Sequence, residues 1–409
     1  MKILRINTEY LFYFDDFYDR NPTLVDASYM EQKEALEKDF FSWPNAMKAP
    51  LQNQGFEYEE IVANCEPLQR AYASEQGLTF DNDWIIKIAF EQAKRFSPDI
   101  LYLGDYTTFT PNWINDLKRN CPSIKLVVAW CGAPFQDKRF FSGYDLVLTC
   151  IPELKTQFES MGLRSEHLHH GFDTRVLEFL NQDSKKYDLS FVGQVVRANK
   201  YHLRREQILE YLLEKKANLT MFSPSQVQAF SALDQAKLGI KKLTYNAMKG
   251  AKALGFSQAL LEKVPVFGKA AEWEESPVSP INEFLQCKML PGKFGLQMLQ
   301  TLKDSKIVLN THIDISKNSA SNMRIFEATG VGSCLLTDWK DNINELFEDG
   351  KEIVTYKTPE ECFEKYLWLM DNPVEREAIA KQGQERVFAD HTFTNRAERL
   401  ASILNKALR

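Results

Sequence analysis

The stretch Asp304–Asp338, DSKIVLNTHIDISKNSASNMRIFEATGVGSCLLTD, decides how the rest of the chain is read. Lys306–Thr311 is a short apolar run with a polar end, which suits a strand covered on both faces. A loop of Asp, Ser, Lys and Asn follows, residues that satisfy their own backbone. Ser321 is a favoured N-cap for a helix over Asn322–Thr329, and Gly330 and Gly332 are its stop. Gly332–Thr337 then resumes as a strand. The result is a βαβ unit whose helix start offers unpaired N–H groups and a positive dipole end to the crevice beyond the strands. That is a seat for a diphosphate.

MRIFEATGVGSCLLTD resembles the donor-binding segment of GT-B glycosyltransferases, in which a helix carries a Glu before a small-residue turn and a strand. NTHID upstream, LFEDGKEIVTYKTPEE downstream and GQERVFADHTFTNRAERL further on resemble the CgeB-like, spore-maturation-protein branch. The likeness runs from about Tyr187 to Arg399, with a gap in the middle. It implies a nucleotide-sugar donor whose ribose hydroxyls are held by Glu327, a role that suits a carboxylate facing a vicinal diol. Related retaining transferases often carry a second Glu eight residues earlier; here that place is Ser319.

Working outward, Met1–Thr8 is an opening strand. Glu9–Asp39 is dense in Tyr, Phe and Asp and reads as a long loop beyond that strand, where open α/β sheets bind ligands. Its aromatic faces and carboxylates suit sugar rings, so Asp15 and Tyr18 are acceptor-side candidates; the bland reading is a solvated loop pinned by aromatics. Strands are expected at Phe56–Ala63, Pro98–Gly104, Ile124–Trp130 and Tyr144–Cys150, and helices at Trp84–Phe96, Trp113–Arg119 and Glu153–Met161. This alternation predicts a mostly parallel sheet with helices on both faces. Asp105 follows directly on a strand end, where catalytic groups collect, although an Asx turn explains it equally. His169 and His170 lie before the crossover, and His170 has the ordinary pKa of a base. Trp130, opening WCGAPF, is a candidate border of the sugar pocket.

HHGFDTRVLEF (His169–Phe179) resembles the GT-B crossover, and polar residues cluster over Phe179–Lys186. The expected division is therefore residues 1–178, on the acceptor side, and 179–409, on the donor side. In GT-B folds the last helix packs back on the first domain, and the same is expected of this one. Tyr187–Gln194 starts the second half with a strand and Gly193. A helix carrying Arg197, Lys200, His202, Arg204 and Arg205 is expected next, facing the diphosphate with Arg197 or Arg205. Residues 223–302 turn helical and irregular, an accessory region or an oligomer contact. The donor-side set is Gly193, Arg197, Arg205, Asn310, Ser321, Asn322, Arg324 and Glu327.

A chain of 409 residues suits two domains of ordinary size, and its 44% apolar and 26% charged content is that of a globular enzyme. A net charge of −6 argues against a general nucleic-acid binder. No apolar run approaches the roughly 20 residues of a membrane span, and MKILRINTEY reads as a strand, not a leader. Seven scattered Cys without CxxC read as reduced thiols of a cytoplasmic protein. The expectation is an α/β fold of two Rossmann-like domains across a cleft, moving a sugar from a nucleotide-sugar to an unidentified acceptor. No metal or other cofactor is expected, because helix N–H groups and Arg324 supply positive charge and Asp15–Asp16 lack metal spacing. A GT-B-type epimerase and an inactive nucleotide- or glycan-binding relative are the alternatives.

Overall fold

The structure is a computed structural model. It describes every residue except 44, 136, 183, 198–200, 228–230, 264–269, 271–272, 274–275, 280–281, 315 and 317, and the side chains of 226, 227 and 259.

Strands form where short runs such as ILYL and LVVAW can be covered on both faces. The first sheet holds β1 (Lys2–Asn7), β2 (Glu57–Val62), β3 (Ile100–Leu103), β4 (Leu126–Trp130), β5 (Leu146–Thr149) and β6 (Ser165–His167). They are parallel in the order β2-β1-β3-β4-β5-β6. The second sheet holds β7 (Tyr187–Val192), β8 (Leu219–Phe222), β9 (Met289–Leu290), β10 (Ser305–Asn310), β11 (Cys334–Asp338) and β12 (Val354–Tyr356). These are also parallel, in the order β12-β11-β10-β7-β8-β9. Each sheet is sandwiched between two apolar layers: Leu101 and Val127 face one side of the first and Tyr102 and Val128 the other. The second repeats this with Val308 and Leu335 on one side and Ile307 and Leu336 on the other. All seven cysteines are free thiols, six of them buried. No helix among the described residues is long and apolar enough to cross a membrane.

Three local expectations are corrected. Glu9–Asp39 is not a loop but two helices, Leu11–Arg20 and Tyr29–Lys38, with a 3-10 turn between them. Tyr13, Phe14, Phe17 and Tyr18 form one buried helical face, and Ser28 with Glu31 makes a capping box. Ser321 caps nothing: the helix begins at Arg324 and runs only to Gly330, and the Ser321 hydroxyl is hydrogen-bonded to Ser316 at 2.9 Å. The helix after β7 starts at Leu203, so Arg197 and His202 precede it.

The halves are joined along one side. The helix Phe393–Ala407 lays Phe393, Ala397, Leu400 and Leu404 into the layer of Ile3, Trp43, Leu51 and Leu126. Backbone bonds tie Phe172 to His391 and Phe393 (2.9 and 3.1 Å), and Arg396 Nε donates to the His170 carbonyl at 2.6 Å. Gly330 lies against the Phe172 ring so closely that a Cβ would meet it at 2.4 Å. On the other side, Phe41 and Phe294 pack edge to face at 5.8 Å. Beside them Gly295 takes φ +53° under Asp39, leaving no space for a side chain.

Candidate active site at the facing carboxyl edges

Parallel sheets leave a crevice outside the carboxyl ends of the strands where the strand order reverses. In the second sheet this point falls between β7 and β10, which pair Leu189 with Ile307 and Ser190 with Val308. Gly193 and Gln194 lie beyond β7, Asn310 and Thr311 at the end of β10. Arg205 spans the gap: Nη1 donates to the Gln194 carbonyl (2.6 Å), Nη2 to the Thr311 carbonyl (2.8 Å) and Nε to the Thr311 hydroxyl (2.9 Å). Burial pushes its pKa down to about 10, and these oxygens hold the charge in place. Arg205 is a brace under the switch point rather than a cation aimed into it. Asn310 is buried, donates to Thr337 Oγ1 (2.9 Å) and accepts from Asn322 Nδ2 (2.8 Å), which fixes Asn322 over the strand end.

Beside this floor, Arg324 and Glu327 share one face of their short helix. Nη1 of Arg324 donates to Glu327 Oε2 at 2.7 Å, and both side chains are mostly covered. Behind them Asp338 accepts from the backbone N–H of His312 (2.9 Å) and pairs with its Nδ1 (2.8 Å). Lys340 Nζ stands 3.3 Å from the other oxygen of Asp338. Burial alone pushes this carboxyl up, but His312 and Lys340 hold it well below the usual carboxylate range. The buried His312 Nε2 has no partner among the described residues.

In the first sheet the reversal falls between β1 and β3. Thr8 Oγ1 closes it by donating to Asp105 Oδ2 at 3.0 Å. Asp105 further accepts from the backbone N–H and hydroxyl groups of Thr107 and Thr108 at 2.6 to 3.0 Å. Burial raises its pKa, yet these bonds hold it below its ordinary value. Its lone pairs are spent on Thr8 and on its own turn. His170 Nδ1 accepts from the Trp43 indole N–H at 3.3 Å, which puts the proton of the neutral ring on Nε2. Burial, then Arg396 and Arg5, push its pKa down to about 3. A ring whose basic nitrogen is occupied is a donor, not a base. Trp130 packs edge to face on Trp43 (4.8 Å) and His170 (5.3 Å), half-buried at the end of β4.

The remaining candidates lie elsewhere. Tyr18 is a core residue, its hydroxyl donating to Gln32 at 2.7 Å, and Asp15 is on the exposed side of the same helix. Arg197 is neutralised by Glu206 at 2.5 Å. Lys200 lies outside the described residues. Three groups at the edges were missed. Glu153, at the start of the helix after β5, accepts from Ser319 at 2.9 Å and so ties the two carboxyl edges together. Glu9, two residues past β1, accepts from Asn7 Nδ2 and borders a small cavity of about 30 Å³. Burial, beyond what Arg5 offsets and with Glu60 adding to it, pushes its pKa up to about 8. The third is the His312–Asp338–Lys340 group. The strand-end rule that singled out Asp105 also points to Glu9 and His312. Among the described residues no three His, Cys, Asp or Glu side chains come close enough together to hold a metal.

Residues 247–402 match the family model described as glycosyl transferase-like. No curated protein matches the chain. Among solved structures, Alr3699/HepE of Anabaena in complex with UDP-glucose is similar at TM-score 0.53 and 11% identity, covering 99% of this chain and 100% of that one. A glycosyltransferase from Rickettsia africae ESF-5 gives 0.54 and 10%, covering 100% and 98%. Sucrose-phosphate synthase (tll1590) of Thermosynechococcus elongatus gives 0.53 and 8%, covering 99% and 98%. The fold is GT-B, and the second half carries a glycosyltransferase-like segment.

Proposed function

We propose that the protein transfers a sugar from a nucleotide-sugar to an acceptor, with residues 179–409 seating the donor and 1–178 facing the acceptor. The observation that carries this reading is the second sheet's switch point. Counted within its own half, the strand order is the 3-2-1-4-5-6 of dinucleotide-type folds. Its floor is Gly193, Gln194, Asn310 and Thr311, and the Arg324–Glu327 pair stands beside it in the glycosyltransferase-like segment. On donor binding the pair separates: Glu327 accepts from the ribose diol and Arg324 turns to the diphosphate. The guanidinium then stabilises the leaving group without a metal. The CgeB-like relationship is supported only by the sequence segments that resemble it.

UDP-glucose is the first donor to try, since a protein of this fold is in complex with it. Glu327→Ala weakens donor binding in calorimetry by about 1.5–3 kcal/mol, roughly ten- to a hundredfold. The exposed Glu348→Ala serves as the control. Equal affinities for the two variants remove Glu327 from the site. Excess EDTA leaves turnover nearly unchanged while Arg324→Ala lowers it strongly; the reverse pattern means a metal-dependent reaction. A panel of nucleotide-sugars separates the classes: transfer supports the proposal, inversion at C2 without transfer an epimerase, and binding without turnover an inactive relative.

A further inference from the structure

Ala232–Ala253, 22 residues, is the longest helix among the described residues, and little of it is covered. Ser231 and Asp234 form a capping box at its start, so it is a properly begun helix. Leu233, Ala236, Ile240, Leu243, Ala247 and Leu254 recur at spacings of three and four, which puts them on one stripe. A buried stripe is what this pattern normally makes. Here Leu233, Ile240, Leu243 and Leu254 are 64%, 56%, 72% and 81% exposed. Phe256 and Leu260 prolong the apolar surface past the helix end, also exposed. Its buried residue, Met248, packs off the stripe with Leu261, Ala270 and Trp273 of the segment that follows.

The charge on the helix is one-sided. It carries five lysines, at 237, 241, 242, 249 and 252, against the single acid Asp234, in a chain whose net charge is −6. At 100° per residue Lys237 and Lys241 fall to one side of the stripe and Lys242 and Lys249 to the other. A second copy of this helix would bring lysines toward lysines. A nucleic acid would pair with the lysines and leave the leucines in water. An anionic bilayer surface satisfies both, because the stripe enters the acyl boundary while the lysine stems reach back to the phosphates.

We propose that the Ala232–Ala253 helix docks the protein on an anionic lipid bilayer, lying in the plane of the surface with the Leu233–Leu254 stripe inward. This holds whether or not the transfer reading does.

Sedimentation of the full chain with vesicles of phosphatidylcholine and phosphatidylglycerol tests it, against phosphatidylcholine alone. Binding is expected only to the anionic vesicles and falls as salt is raised. Each lysine near such a surface is worth roughly fivefold in partitioning, so Lys241→Glu with Lys242→Glu lowers binding more than roughly 25-fold. Leu243→Glu also releases the protein, although it leaves every lysine in place. Thermal unfolding at the wild-type temperature confirms that both variants are folded, since all three side chains are exposed. Wild-type protein that stays in the supernatant with anionic vesicles overturns the proposal. So does a dimer in light scattering that Leu243→Glu splits, because the stripe then belongs to a second copy.

Discussion

Glu9 and Asp338 are carboxyl groups at the carboxyl ends of strands, one just past the first strand of the first sheet and one ending β11 of the second, yet they are held in opposite states. Glu9 keeps its proton until about pH 8, whereas Asp338 stays ionised far into acid. Burial pushes both upward, so burial is not what separates them. Asp338 receives a backbone N–H, a histidine nitrogen and a lysine. Glu9 receives hydrogen bonds from the Ser42 and Asn7 side chains but no charged partner of its own: it lies near the like-charged Glu60 and shares an arginine that is already paired with Glu60 at 2.5 Å. The count of donors and cations aimed at a buried carboxyl sets its charge.

The largest effect that would break this comparison is at Asp338. Asp338→Ala leaves Lys340 and His312 buried without their anion and is expected to cost about 3–5 kcal/mol in urea denaturation, as breaking a buried pair does. A loss below about 1 kcal/mol, the scale of an exposed pair, would mean that the group is hydrated and the contrast with Glu9 is one of exposure.

Glu9→Gln tests the other member through pH. A carboxyl whose folded pKa is raised stabilises fully below its unfolded value, and that contribution is lost as pH rises through about 8. Glutamine imitates the protonated form. The variant should therefore match the wild type near pH 5 and become the more stable of the two above pH 8. Parallel stability profiles between those limits would show that Glu9 titrates as an ordinary glutamate.

The smallest expected change sharpens the contrast with a third carboxylate. Glu327 is bonded to Arg324 three residues before it on the same helix. The pair is mostly covered, but glutamine keeps an oxygen that accepts from Arg324, so Glu327→Gln should cost no more than about 0.5–1.5 kcal/mol. If Glu327→Gln instead destabilises as strongly as Asp338→Ala, its role is to hold the fold rather than to bind.

Much of the architecture is local and therefore legible. The helix Trp84–Phe96 has the expected ends, because an aromatic-apolar face runs up to Ser97-Pro98. The alternation of apolar runs with amphipathic segments places the eight expected strands within a few residues of their observed bounds. Glu9–Asp39 misled because Tyr, Phe and Asp together look like a loop, although Tyr13, Phe14, Phe17 and Tyr18 keep helical spacing and S-x-x-E at Ser28 marks a helix start. Ser321 misled in the other direction: a good N-cap residue spent its hydroxyl on Ser316, a partner five residues away that no cap rule includes.

The candidate site divides along the same line. The placement of Gly193, Asn310, Asn322, Arg324 and Glu327 at the second sheet's carboxyl edge was legible, because they belong to a strand end or to a βαβ unit, features written in neighbouring residues. The partners of Arg205, His170 and Ser319 were decided by residues a hundred or more positions distant. Arg205 points at Thr311, 106 residues on, and not at a ligand. His170 loses its basic nitrogen to Trp43, 127 residues before it, and Ser319 meets Glu153 across 166 residues. Periodicity and turn chemistry are read from residues close in sequence, so the sequence by itself determined the two parallel sheets and the unit that carries Glu327. A buried charge answers to every dipole within a few ångströms, whatever its place in the chain, so the state of each ionisable group was decided only when the tertiary structure brought those dipoles together.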